Sequence, residues 1–187
     1  MHPVKMIDIS GWQHPNNEPI DWHAVKRSGV QAAMVKATEG TNYTSAWLAA
    51  DGNGARSAGL KIGYYHFAHP GTNGALEEAQ YFLDAIAGHP RSIGGALDLE
   101  VTEGVPWPDL AVWSKTFLDE VHKTCVYTSL YSNGNFLSNM ARAPWGHLLW
   151  YANPSQAPRF KVWAWQYSWT GEVPGVPAPC DLDQVWL

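Results

Sequence analysis

Alternation is the feature of this chain that most limits its fold. Eight short apolar runs recur along its 187 residues: "VKMIDIS", "QAAMVKA", "KIGYYHF", "GALDLEV", "CVYTSLYS", "LLWYAN", "VWAWQYS" and "CDLDQVW". Helical stretches separate the early ones: "DWHAVKRSG", "AWLAADGNGARSAG", "GALEEAQYFLDAIAG" and "DLAVWSKTFLDEVHK". In the third, Leu76, Ala79, Tyr81, Phe82, Leu83 and Ile86 approximate a helical stripe, and Gly88 followed by Pro90 stops it. A weaker fifth helix is read near "NGNFLSNMARA". Beyond it the helical period gives way to loops rich in Pro and Gly. Strand–helix alternation implies βαβ units around a parallel inner sheet. Eight strands imply closure, and the missing late helices make the closure irregular. The expected fold is therefore an α/β, TIM-like barrel, (β/α)5(β)3, with eight mostly parallel inner strands and one domain over residues 1–187. An open doubly wound sheet is the alternative, but no G-x-G-x-x-G follows a strand.

Composition removes several classes of partner. The net charge is −5 and there is no basic run, which argues against nucleic acid and anionic membranes. No apolar run is long enough to span a bilayer. The start, "MHPVKMIDIS", lacks the charged head, apolar stretch and cleavage site of a secretory signal. Cys125 and Cys180 both sit in strand-like flanks and are expected as buried thiols, with one disulfide left open. The chain carries 11 Trp, and Trp145, Trp150, Trp163, Trp165 and Trp169 crowd one segment among loop-forming residues. Aromatics on loops suit a flat, partly apolar ligand such as a sugar ring.

The acids fall at strand ends. In "GALDLE", Asp98 and Glu100 are two apart, so an extended chain points both to one face, with Cα atoms roughly 6.6–6.8 Å apart. Asp8 nears the end of the first run, Glu39 follows the second, and Asp181 and Asp183 lie in the last. Tyr64, Tyr65 and His66 end the third run, and Gln166 and Tyr167 the seventh. In a barrel of this kind these ends form the active face. Clustered carboxylates repel, a cost that functional sites tolerate. Two carboxyl groups suit glycoside hydrolysis, one donating a proton to the leaving oxygen and one staying ionised. Repulsion from Asp8, Asp98 and Asp181 is expected to hold one proton in the cluster, on Glu100. The substrate-binding candidates are Tyr64, Tyr65, His66, Glu39, Trp150, Gln166 and Tyr167.

These motifs, taken in order, resemble the family 25 glycoside hydrolases, the lysozymes that cut peptidoglycan as N-acetylmuramidases. "MIDISGWQ" resembles the family's Asp-x-Ser first strand, "VKATEG" its second and "YYHF" its third. "LDLE" is similar to its Asp-x-Glu, "LYSNGNF" to its fifth strand, "LLWYANP" to its sixth, "WAWQYS" to its seventh and "CDLD" to its closing Asp motif. The resemblance implies Glu100 as general acid. It implies Asp98 as the residue that stabilises positive charge or orients the substrate's 2-acetamido group, with Asp8 and Asp181 lining the same pit. It leaves open a glycosyl-enzyme or an oxazolinium intermediate; the adjacent Asp-x-Glu favours the second. Two departures are Asp183, where the family commonly has Asn, and the Trp- and Pro-bearing loop "EGVPWPD".

The resemblance further implies a monomer that acts on peptidoglycan strands and needs no cofactor. With no signal, a phage endolysin made in the host cytoplasm and released through a holin-type lesion is expected; a bacterial autolysin secreted by another route is the alternative. His66 and His69 in "YHFAH" raise a metal site, but no H-E-x-x-H or other convincing ligand spacing is present, so no metal is expected. No G-x-S-x-G elbow supports a serine hydrolase. Two rivals stand beside a muramidase: a non-catalytic peptidoglycan- or chitin-binding barrel, and an endo-glucosaminidase or chitinase-like hydrolase.

Overall fold

The computed structural model describes residues 2–141, 143 and 145–187. Strands β1 (Val4–Ile9), β2 (Ala32–Glu39), β3 (Tyr43–Thr44), β4 (Lys61–Phe67), β5 (Gly95–Asp98), β6 (Thr128–Asn133), β7 (Leu148–Ala152), β8 (Ala164–Gly171) and β9 (Cys180–Val185) form one sheet. Its order is β1-β9-β8-β7-β6-β5-β4-β2-β3, and β1 also pairs with β2. That pairing closes a barrel of eight staves, with β3 as a two-residue flap on β2. Six pairings from β1 through β8 are parallel, while β9 runs antiparallel to both β8 and β1. Among the described residues no helix is long and apolar enough to cross a membrane.

Helices α1 (Trp22–Arg27), α2 (Leu48–Ser57), α3 (Ala75–Ala85), α4 (Trp107–His122) and α5 (Gly134–Asn139) fall between the staves from β1 to β7. The weak fifth helix is thus one short segment, and residue 142 of that stretch lies outside the described residues. The segments after β7 and β8 carry no helix. Asp21 starts α1 by accepting the amide of Ala24 at 3.0 Å, an ordinary N-cap.

Strand alternation sorts the apolar residues into two cores. Met6, Met34, Tyr65, Ala96, Tyr131, Trp150 and Ala164 fill the barrel interior. Ile7, Ile9, Val35, Tyr64, Leu97, Leu99 and Leu130 form the outer layer, with Phe82 of α3 and Phe117 of α4. Burial of this kind contributes on the order of 25 cal/mol per Å² of apolar surface. The α3 stripe differs from expectation. Ala75, Glu78, Ala79 and Phe82 are its buried residues, whereas Leu76 is 55% exposed. Positions 75, 78, 79 and 82 follow helical spacing, and Leu76 falls beside that row. Two glycines in α2 cost helix propensity, about 1 kcal/mol each. They are needed because a Cβ at Gly52 would collide with the Tyr64 hydroxyl, and one at Gly54 with the Trp22 ring.

Candidate active site

The strand ends surround a pit of about 290 Å³. Its wall includes Asp8 of β1, Lys36 of β2, Tyr65 and Phe67 of β4, Asp98 of β5, Tyr131 of β6, Trp150 of β7 and Asp181 of β9. Glu100 joins it from beyond β5. The strand ends at Asp98, and Leu99 still donates its amide to Tyr131 O at 3.1 Å before the chain leaves the sheet. Asp98 is therefore buried in the wall, while Glu100 stands exposed at the mouth. Past β1, Ser10 caps a single helical turn, Gly11–Gln13, which brings Trp12 and Gln13 to the pit's edge. Trp12 is 87% exposed there.

Gln166 organises the acids. Its side-chain nitrogen donates to Asp8 Oδ2 and Asp181 Oδ2, each at 3.0 Å. Its oxygen accepts from the Tyr131 hydroxyl and from Trp169 Nε1, each at 2.8 Å. All four capacities of the amide are in use, which fixes its orientation. Deeper on β9, Asp183 is fully buried and accepts from Trp150 Nε1 at 2.7 Å. Among the described residues, Asp98 Oδ1 and Asp183 Oδ2 are buried carboxylate oxygens without a hydrogen-bond partner.

Electrostatics follow from burial and like charge. Burial first, then the charge of Asp181, pushes Asp8 up to about 8, against the Gln166 hydrogen bond. Burial and Glu100 raise Asp181 to about 6. Burial, followed by Glu100 and Asp8, holds Asp98 well above the usual carboxylate range, with Lys36 opposing. Burial and Asp8 do the same to Asp183. Lys36 is the one basic side chain among the wall residues and lies 4.9 Å over the Phe67 ring. Crowding thus bears heavily on the buried carboxyls around Glu100, and protons are held by the cluster rather than by one residue.

A model of the glycosyl hydrolases family 25 matches residues 7–176. The chain belongs to this family. It is 31% identical over 201 residues to Lysozyme M1 of Streptomyces globisporus, covering 97% of this chain and 67% of that protein. It is 35% identical over 191 residues to the autolytic lysozyme of Clostridium acetobutylicum, covering 97% of this chain but 55% of that one. The crystal structure of the bacterial lysozyme from Streptomyces coelicolor superimposes with a TM-score of 0.85 at 29% identity, covering 97% of this chain and 91% of that one.

In this family 25 chain, Asp8, Asp98, Glu100, Asp181, Tyr65 and Trp150 converge on the pit, with Gln166 bonded to its acids. Four other candidates do not line it. Tyr64 and His66 point the opposite way from Tyr65, because successive residues of a strand alternate. Tyr64 packs under α2, and His66 is bonded to Glu78 of α3 at 2.7 Å and to Thr38 at 2.8 Å. Tyr167 likewise faces away from Gln166 and lies against Trp165. Glu39 sits at the rim, bonded to Lys36 at 2.6 Å and His69 at 3.0 Å. Sequence reading missed Trp12, Gln13, Phe67 and Tyr131. Parity on their strands would have found Phe67 and Tyr131; the turn that carries Trp12 has no period to read. Cys125 and Cys180 are both buried and unbonded to each other, matching the expected thiols.

Proposed function

We propose that this chain hydrolyses the β-1,4 bond between N-acetylmuramic acid and N-acetylglucosamine in peptidoglycan, and so acts on the bacterial cell wall as a monomeric catalytic unit. The observation that carries this reading is the pair at the end of β5: an exposed Glu100 at the mouth beside a buried Asp98 whose Oδ1 lacks a partner. Family membership and the lysozyme names of its relatives support it.

The chemistry divides between the two carboxyls. Glu100 donates a proton to the glycosidic oxygen as the bond to the anomeric carbon breaks. The orphan oxygen of Asp98 accepts the N–H of the substrate's 2-acetamido group and aims its carbonyl oxygen at the anomeric carbon, giving an oxazolinium ion. Glu100, now ionised, takes a proton from the water that opens this ion. Burial and the neighbouring charges of Glu100 and Asp8 raise Asp98 above its ordinary value. An amide donor and a growing positive charge favour the ionised form, so its stabilising effect is greatest near the transition state. Asp8 and Asp181, tied by Gln166, hold the pit's remaining protons. The reaction asks for no metal or cofactor.

The test is digestion of purified peptidoglycan, followed by reduction of the new ends and mass analysis. Reduced muramic acid ends are expected. Reduced glucosamine ends would assign a glucosaminidase, and no new ends a binding barrel.

A further inference from the structure

A second group of charges runs along the pit's rim. Lys36 donates to Glu39 Oε2 at 2.6 Å, and Glu39 Oε1 lies 3.0 Å from His69 Nε2. On the other side of the ring, His69 Nδ1 lies 2.5 Å from Glu103 Oε1. Glu103 Oε2 accepts the amide of Gly71 at 2.9 Å. Lys36 and Glu39 belong to β2, His69 to the loop after β4, and Glu103 to the loop that continues from Glu100. Both ring nitrogens of His69 therefore face carboxylate oxygens, and an ionised carboxylate only accepts. Both nitrogens must carry hydrogen, which makes the ring an imidazolium.

The loops it joins are tightly fitted. Glu103 has a left-handed backbone, φ 48°, an uncommon state for a residue with a side chain. A Cβ at Gly71 would run into the Glu103 backbone. That fit is held by the carboxylate of Glu103, three residues past Glu100.

We infer that His69, as an imidazolium between Glu103 and Glu39, is a positioning residue for Glu100: it clamps the loop that presents the acid and steadies Lys36 in the pit wall. This rests on the pit being the catalytic site. The charges around His69 agree. Glu39 and Lys36 face it from β2, Glu103 from the loop after β5, His66 from β4, and Glu78 of α3 accepts its backbone amide at 3.1 Å. Three carboxylates outweigh Lys36 and a His66 that burial keeps toward its neutral form. The Glu103 hydrogen bond first, and then that of Glu39, raise His69 above its ordinary 6.5 despite partial burial. The sign follows: the clamp is complete below the ordinary histidine value and is lost as pH rises through the raised one.

The test combines nitrogen NMR of His69 in the wild-type protein with kcat and KM of wild type, His69→Gln and His69→Arg on purified peptidoglycan fragments. A proton on both ring nitrogens near pH 6.5 is expected. Gln carries no charge, and its donors sit on one nitrogen rather than on the two sides of a ring that meet Glu103 and Glu39, so kcat should fall about tenfold with KM little changed. Arg supplies a permanent cation and should keep kcat, and the wild-type to Arg ratio should fall as pH rises through the pKa measured for His69. A neutral ring near pH 6.5, or wild-type kcat in a folded Gln variant, overturns the inference. If Gln does not fold, the Arg ratio and the NMR decide. Glu100→Gln is run alongside: its retained activity would remove the catalytic pit itself, whereas its loss beside an indifferent His69 would remove only the clamp.

Discussion

Acids stand on opposite sides of the barrel wall, one with its partners outside and a cluster inside, and they are treated oppositely. Outside, Glu78 is fully buried between α3 and β4. Its oxygens take hydrogen bonds from His66 at 2.7 Å, Asn73 at 2.9 Å and the His69 amide at 3.1 Å. His66 in turn meets Thr38 and stacks on Phe117. Inside, Asp98 and Asp183 each keep an oxygen without a partner, and Asp8 and Asp181 share one amide. The first group is complete and holds a helix to a strand. The second is incomplete and crowded, so the folded protein bears a cost that protonation lessens and a hydrogen-bonding ligand would lessen further. Burial alone does not separate structure from function; unmet hydrogen bonding among like charges does.

Changing one carboxyl at a time tests that contrast. The largest effect is expected from Glu100→Gln, which keeps shape but cannot donate the proton: turnover of purified peptidoglycan should fall about 10²–10⁴-fold, with an unchanged circular dichroism spectrum. Asp98→Asn should follow, at about 10²-fold, because its orphan oxygen no longer carries charge as the anomeric centre becomes positive. Glu78→Gln should act the other way, losing roughly 1–3 kcal/mol of stability in denaturant unfolding while the folded fraction turns over close to wild type. A Glu78 variant that is stable but inactive would erase the contrast.

Asp183→Asn has the smallest expected effect on turnover. Asn keeps an oxygen for Trp150 Nε1 and removes a buried acid. Because the folded-state value of Asp183 is raised, the unfolded chain ionises first, and stability falls as pH rises above the ordinary 3.8. The Asn variant lacks that slope. Its melting temperature should exceed that of wild type by a margin that grows with pH; a margin that shrinks would mean Asp183 is ionised in the folded state.

The barrel was legible because its periods are long and repeated. Apolar alternation marks each stave, and the switch to helical spacing marks α1 to α4. The two-residue β3 is too short to leave such a signal. At the site, the i, i+2 spacing of Asp98 and Glu100 pointed to one pit, although Glu100 lies past the strand's end. The same rule counts against grouping Tyr64, Tyr65 and His66, since three consecutive strand residues cannot share a face. The His69–Glu103 contact spans 34 residues between two loops and obeys no period, so only the folded chain reveals it.

If the pit works as a coupled set of carboxyls, its pH–rate profile must show it. Initial rates on purified peptidoglycan would be taken from about pH 4 to about pH 10 at fixed ionic strength, with and without EDTA, in wild type and in His69→Arg. Raising pH strips the protons held by Asp181, at about 6, and Asp8, at about 8, so the cluster no longer resupplies the proton that Glu100 gives to the leaving oxygen. Lowering pH keeps Asp98 protonated against the substrate amide. A bell is expected in both proteins, with an alkaline limb spread across that interval and indifferent to EDTA. A rate that stays flat through the interval, or one abolished by EDTA and restored by zinc, would contradict it.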